Sequence, residues 1–379
     1  MPDIPIPPKP VIPEPLVLPE VTTTGAGRID TLWINAARFG SRGVIVHGHS
    51  LDRSGRLAQL MRKCPPGTAA IAHAHAGGEP TLDQVETARR IVRDHRATWV
   101  AAIGGGSVID LAKSAAGLCH APGDVESYHN GQPPDADCVP IIAAPTTAGT
   151  GSEATINAVL TNTRTGSKKS IRDPRWMPRV VILDSDLLAG CPPAIVAHSG
   201  LDALTQAAEA FISRHATWFS DTIALQAVRM IAGALPRVVG GAGDPARQDL
   251  LVGSYLAGMA LAQARLGIVH GIAHPLGVAF HAPHGQVCAL CLPHALALNR
   301  PFIGDKYERL SGAVGGDIAD VAAAMVRDFR IESPFAGQSL PGRETIIAET
   351  LASGSTKANP KTITRADVEW LLDRLFTTR

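Results

Sequence analysis

Apolar positions in the first half of the chain come in short unbroken runs, each closed by glycine or polar residues. Gly43-Val44-Ile45-Val46-His47, Ala69 to His75, Trp99-Val100-Ala101-Ala102-Ile103, Val139 to Ala144 and Val180-Val181-Ile182-Leu183-Asp184 are runs of this kind. Runs of four to seven such residues predict buried parallel strands, because a strand covered on both faces has no polar side to alternate with. Between them the period changes to that of a helix. Ile29 to Phe39, Leu57 to Met61, the segment opened by Pro80-Thr81 with Val85, Ala88, Ile91 and Val92 on one face, and Val108 to Leu118 all repeat at three and four residues. Strand alternating with helix predicts an α/β domain on a parallel sheet.

The pattern changes at Cys191-Pro192-Pro193. From there helical periodicity dominates, over Asp202 to Phe211, Asp221 to Leu235, Ala246 to Ala264, Ile318 to Arg330 and Arg365 to Phe376. The expected organisation is a proline-rich arm over 1–20, an α/β domain over 21–192 and an all-helical domain over 193–379. The eight prolines between Pro2 and Pro19 favour extended polyproline conformations, so the arm is expected to lie along the surface or on a neighbouring subunit.

Composition narrows the class. A chain of 379 residues has room for about two domains. A formal net charge of +1 gives no basis for binding nucleic acid or a membrane surface. The N-terminus lacks the basic head and apolar core of a secretory signal, and no apolar run is expected to span a bilayer. Six scattered cysteines in a chain this long imply reduced thiols and a cytoplasmic setting. Cys288 and Cys291 form a CxxC, but with apolar neighbours and no second pair they read as buried small hydrophobes.

Two stretches carry candidate chemistry. The strand ending at Ile103 runs into Gly104-Gly105-Gly106-Ser107 and then a helix. Glycine permits close backbone approach, and a helix N-terminus offers free amides and partial positive charge, which suits phosphate. A glycine run alone is equally a tight turn; the flanking strand and helix favour the phosphate reading. The hydroxyl-rich loop Pro145 to Thr155 follows the next strand and suits ribose, phosphate or amide contacts. The second stretch is Gly267 to Gly285, where His270, His274, His281 and His284 fall within fifteen residues. His270 and His274 share a helical face at i, i+4, Pro275 is expected to kink that helix, and His284, between Pro283 and Gly285, reads as a turn. Imidazoles so placed suit a metal or a proton relay, although any one of them could be a core histidine.

Taken together, Gly104 to Ser107 with Asp110 and Lys113, the Pro145 to Thr155 loop, Gly200-Leu201-Asp202-Ala203-Leu204-Thr205 and the His270 to Gly285 stretch resemble the iron-containing (group III) alcohol dehydrogenases, in order from about Gly25 to Pro293. The resemblance implies a Rossmann-like nucleotide-binding domain, a helical domain in a dehydroquinate synthase-like architecture, and a cleft holding a nicotinamide and a divalent metal. It implies metal ligands at Asp202, Gln206, His270 and His284, a catalytic histidine at His274, and coenzyme contacts at Gly48, Gly105, Gly106, Ser107, Asp110, Thr146, Thr147, Thr150, Thr155 and Lys168. The expected reaction is hydride transfer between NAD or NADP and a small alcohol or aldehyde, in a homo-oligomer of two or more subunits. Two positions depart from the family. Gln206 stands where the family usually has histidine, and an amide oxygen is a weaker ligand for iron or zinc. Gly48 stands where the family often has an acid that repels the extra phosphate of NADP, so NADP becomes acceptable. The alternatives are a metal-free reductase of maleylacetate type, a lyase similar to dehydroquinate synthase and a non-catalytic nucleotide-binding module.

Overall fold

The structure is a computed structural model that describes residues 11–340 and 342–377. The first ten residues of the proline-rich arm therefore lie outside the described residues.

Eight strands are present among the described residues: β1 (Val21–Thr24), β2 (Arg42–His47), β3 (Ala69–Ala74), β4 (Trp99–Gly104), β5 (Ile141–Pro145), β6 (Asn157–Asn162), β7 (Ser167–Arg172) and β8 (Val180–Leu183). Six of them form one parallel sheet in the order β1-β8-β5-β4-β2-β3. β6 and β7 form a separate antiparallel hairpin. The sheet is covered on both faces, which is why its strands lack polar alternation. One face packs Val44, Val46, Val100 and Ala102 against Val85, Val92, Ile109 and Leu111. The other packs Ile45, Ala101, Ile103 and Ile142 against Leu32, Trp33, Leu51 and Leu60. Trp99 is wholly buried, and the space it needs comes from its neighbour in the sheet. A Cβ on Gly43 would lie 2.1 Å from the Trp99 ring.

The chain leaves β2 toward β3 on one side and leaves β4 toward β5 on the other. The carboxyl ends of β2 and β4 thus flank the point where the winding reverses, and parallel sheets bind ligands in the crevice at such a point. Gly48 follows β2 and Gly105 follows β4.

From Pro193 the described residues hold helices and no strands. The main ones are Pro193–Ile212, Trp218–Val239, Ala246–Ala264, Ile268–Phe280, His284–Ile303, Asp305–Val314, Ile318–Asp328, Arg343–Ala352 and Arg365–Thr377. By compactness, residues 11–16, Pro192–Ala242 and the described residues from Gly253 to 377 form one unit and Val17–Cys191 with Gly243–Val252 the other. The arm is therefore divided: the Val11 carbonyl accepts from the Phe219 amide of the helical unit, whereas the Glu20 amide donates to Arg179 beside β8.

Several expectations need correcting. β1 and the β6–β7 hairpin were missed: Val21-Thr22-Thr23-Thr24 has one aliphatic residue, β6 is polar at both ends, and β7 is polar at every position but Ile171. His284 is the first residue of a 20-residue helix and not part of a turn; Pro283 before it is pre-set for a helix start. Finally, Trp218–Val239 is 22 residues long with a mean hydropathy of 1.3 over its most apolar window, enough by length and composition to cross a bilayer. Its Ala224, Ala227, Val228, Ile231, Ala234 and Leu235 are buried within the helical unit, and Leu235 fills the notch at Gly200. That burial covers one face of the helix.

Candidate active site

The densest group of partnerless polar atoms lies inside the helical unit. The Pro193–Ile212 helix carries Asp202, Gln206 and Glu209 on one buried face, at i, i+4 and i+7. The Ile268–Phe280 helix brings His270 against that face, and the His284–Ile303 helix brings His284 and Cys288, again at i, i+4. Two glycines make the approach possible. A Cβ on Gly285 would lie 2.4 Å from the His198 carbonyl oxygen, and one on Gly267 would lie 2.7 Å from Glu209 Oε1.

Glu209 sets the state of His270. Its carboxylate accepts from the amides of Gly267 (2.9 Å) and Val269 (2.7 Å) and from His270 Nδ1 (2.7 Å). A carboxylate at Nδ1 fixes the ring proton there and leaves the Nε2 lone pair facing away, as second-shell acids do for metal-binding histidines. His270 Nε2 then faces Asp202 Oδ1 at 3.3 Å, and neither atom has a hydrogen bond of acceptable geometry. Gln206 Oε1 is likewise buried without a partner, while Gln206 Nε2 donates to Asp202 Oδ2 at 3.1 Å.

Buried acceptors facing one another destabilise a fold unless a cation or proton lies between them. With no cation, a proton takes that place. Burial opposes protonation of His270, but the neighbouring carboxylates of Asp202 and Glu209 outweigh burial and raise it to about 9. Asp202 is held below the usual carboxylate range: burial works against this, and the facing His270 and nearby His284 prevail. The donor set therefore fits a divalent cation. His284 Nε2 stands 3.8 Å from Asp202 Oδ1 and 3.5 Å from Cys288 Sγ. One donor atom from each of Asp202, His270, His284 and Cys288 lies within 4.8 Å of every other. His274 is exposed, and its ring stacks on His284 with centroids 4.9 Å apart.

The α/β unit holds the second candidate region. Gly105 caps the Gly106–Leu118 helix without a side-chain bond, and the amides of Val108 and Ile109 both return to its carbonyl. The amides of Gly106 and Ser107, at the first two helical positions, are those a helix leaves for an outside acceptor. The loop after β5 packs against this turn, so that a Cβ on Gly105 or Gly106 would meet Thr147 Oγ1 at 3.3 Å or Thr150 Oγ1 at 2.5 Å. The Thr146 amide donates to Gly104 and the Gly48 amide to Ile103, which brings Gly48, Gly105, Gly106, Ser107, Thr146, Thr147 and Thr150 to one edge of the sheet.

Asp110, Thr155 and Lys168 have other partners. Asp110 accepts from the Ser152 hydroxyl and from the Val159 amide at 2.9 Å. Thr155 accepts from the fully buried Lys113, whose ammonium also donates to the carbonyls of Ser152, Thr155 and Asn157. Lys168 is paired with Glu79, just after β3. Beside it, the Gly77 amide donates to His75 Nδ1 at 3.0 Å. The proton of that neutral ring is thus on Nε2, a buried donor with no acceptor.

Two models of one family match almost the whole chain: "Iron-containing alcohol dehydrogenase" over residues 19–185 and "Fe-containing alcohol dehydrogenase family, C-terminal" over 196–376. The chain belongs to the iron-containing alcohol dehydrogenases. It is 35% identical to the lactaldehyde reductase of Escherichia coli K12 over 85% of each chain. It is 37% identical to the 1,3-propanediol dehydrogenase of Klebsiella pneumoniae over 64% of this chain and 63% of that one. Among solved structures, sulfoacetaldehyde reductase from Bifidobacterium kashiwanohense in complex with NAD+ superposes with a TM-score of 0.89 at 27% identity, covering 96% of this chain and 98% of that one. Enzymes of this iron-containing family use NAD(P) and a divalent metal. This iron-containing alcohol dehydrogenase is therefore an oxidoreductase of the alcohol dehydrogenase and aldehyde reductase kind.

Sequence reasoning missed two residues here. Glu209 shares the helical face of Asp202 and Gln206, so its spacing was legible. Cys288 follows His284 by one helical turn, but its apolar neighbours in the CxxC masked that relation.

Proposed function

We propose that this chain is a metal-dependent, NAD(P)-linked alcohol dehydrogenase that reduces short aldehydes or oxidises the corresponding alcohols. The observation that carries the reading is the facing pair Asp202 Oδ1 and His270 Nε2, two buried acceptors with no hydrogen bond, beside the partnerless Gln206 Oε1. The sequence resemblance assigns the cation to Asp202, Gln206, His270 and His284. When bound, iron or zinc supplies Lewis acidity to the substrate oxygen, and the nicotinamide supplies or accepts the hydride.

The chain's own residues do the rest. Glu209 keeps His270 in the tautomer with a free Nε2 lone pair. Gln206 holds the second oxygen of Asp202. His274, exposed and stacked on His284, exchanges the alcohol proton with solvent. The Gly105 to Ser107 turn receives the coenzyme phosphates, with Thr146, Thr147 and Thr150 alongside, and Asp110, Thr155 and Lys113 hold that loop in shape.

Gly48 brings no carboxylate to the end of β2, Glu79 is neutralised by Lys168, and His75 Nε2 is a donor awaiting an acceptor. These features favour NADP over strict NAD use. The substrate class is the short hydroxyaldehyde or diol named in the relatives, the working form is a homo-oligomer, and six free thiols suit a reducing cytoplasm.

The test is His270→Ala in an NAD(P)H-oxidation screen over short aldehydes. The variant is expected to lose bound metal and turnover, by about 100-fold or more, while NADPH still binds by fluorescence titration. Full turnover in that variant would remove the metal reading. Turnover that survives exhaustive chelation would favour the metal-free reductase instead.

A further inference from the structure

The cluster contains one donor that the family resemblance does not assign. Cys288 Sγ is wholly buried and lies among the donor atoms of Asp202, His270 and His284. The separations are informative. A tetrahedral site with ordinary metal–nitrogen, metal–oxygen and metal–sulfur bonds has ligand-to-ligand edges of roughly 3.3–3.6 Å. The observed edges are 3.3 Å between His270 Nε2 and Asp202 Oδ1, 3.5 Å between His284 Nε2 and Cys288 Sγ, and 3.8 Å between His284 Nε2 and Asp202 Oδ1. Three of the six edges are thus close to those of one coordination shell, and all four atoms lie within 4.8 Å of one another.

We infer that Cys288, not Gln206, completes this chain's metal site, giving an Asp202, His270, His284, Cys288 donor set selective for a thiophilic divalent cation, zinc above iron. The inference rests on the metal-dependent reading above and changes its fourth ligand. Three arguments support it. A thiolate is a far stronger ligand for zinc than a neutral amide oxygen, so the sulfur offsets the histidine that position 206 lacks. Asp202 and Cys288 together bring two negative charges, matching the cation in a largely buried site, where residual charge is costly. Gln206 already has work outside the shell, since its Nε2 fixes Asp202 Oδ2 and so turns Oδ1 inward. Binding is an acid–base step without redox change: the Cys288 S–H bond breaks, the S–metal bond forms, and the proton leaves to solvent.

The test uses the whole protein, purified under reducing conditions, stripped with a chelator and titrated with Co²⁺ and with Zn²⁺. A sulfur ligand gives cobalt an intense near-ultraviolet thiolate-to-metal charge-transfer band, which oxygen and nitrogen ligands do not. The expected result is one equivalent of cobalt with that band in the wild type and in Cys291→Ser, the other cysteine of the CxxC. In Cys288→Ser the band should vanish and zinc affinity fall at least about tenfold. The wild-type and Cys291→Ser spectra do not depend on the Cys288 variant folding. One equivalent of cobalt with visible ligand-field bands but no charge-transfer band would overturn the Cys288 assignment alone. Failure of wild type to bind any divalent cation would overturn this inference and the metal-dependent reading together.

Discussion

At the scale of single residues, the buried ionisable groups divide into those that await a ligand and those that hold the backbone in place. Lys113 belongs to the second kind. It is enclosed by carbonyls of the loop after β5, with Asp110 and Glu153 as its counter-charges. Burial pushes the Glu153 carboxyl up to about 7, against the pull of Lys113. The folded chain therefore keeps a proton on Glu153 where the unfolded chain, at its ordinary 4.5, has released it. Folding takes up that proton, so stability from this group is greatest below about pH 4.5 and falls as pH rises toward 7. Asp110 is raised as well, burial outweighing Lys113, and adds to the same slope. Glu153→Gln should gain on the wild type in urea midpoint as pH rises from 4.5 to 7, because the variant lacks the falling contribution of this carboxyl. A midpoint difference between the two that stays constant across that interval would contradict the assignment. Residues of this kind resist sequence reading. Asp110 and Thr155 carry the polar groups a coenzyme contact needs, and only the fold reveals that they also bond Ser152, Val159 and Lys113.

Elements were legible wherever their apolar period was strong. β2, β4, β5 and β8, the Gly106–Leu118 helix and the Pro193–Ile212 helix follow directly from their apolar runs and spacing. β1 and the β6–β7 hairpin were hidden because most of their side chains are polar. The His284–Ile303 helix was hidden because Pro283, His284 and Gly285 look locally like a turn. That helix decides the geometry of the histidine cluster, and Gly285 sets its depth. A Cβ there would lie 2.4 Å from the His198 oxygen, 2.9 Å from the His198 carbon and 3.5 Å from Asp202 Cβ. The first two are backbone atoms within a helix and cannot rotate aside. Gly285→Ala should push the helix outward, carry His284 and Cys288 away from Asp202, and cost about 1–3 kcal/mol from overpacking. The measurement is metal stoichiometry beside the thermal midpoint. Alanine bound to full metal content at an unchanged midpoint would mean that this contact does not set the spacing. The same reasoning explains why the family resemblance could bring Asp202 and His270 together while Cys288 lay outside it. The cysteine's place depends on the helix after Pro283 forming.

For the molecule as a whole, each chemistry belongs to one compact unit. The acid, histidine and cysteine donors all come from helices of the helical unit, and the turn proposed to receive the coenzyme phosphates lies at the carboxyl edge of the sheet. A ligand that binds only the folded state stabilises it by about 2.7 kcal/mol at a hundredfold excess over Kd. Zinc and coenzyme fragments should therefore each raise the thermal midpoint, and a chelator should reverse only the first effect. The choice of fragment tests coenzyme preference without any turnover. Adenosine 2′,5′-bisphosphate carries the phosphate that distinguishes NADP, and adenosine 5′-monophosphate lacks it. Beside β2 there is Gly48 in place of a carboxylate, and after β3 the His75 Nε2–H donor is buried without an acceptor. Burial and the neighbouring His49 and His73 lower the pKa of His75, so near neutral pH it acts as a neutral donor and not as a cation. The attraction for the 2′-phosphate is then a hydrogen bond more than a charge pair, and it should weaken little with salt. The bisphosphate is expected to raise the midpoint further than the monophosphate at equal concentration, and His75→Ala to narrow the gap. A larger shift with the monophosphate would assign the coenzyme as NAD and leave His75 a structural histidine.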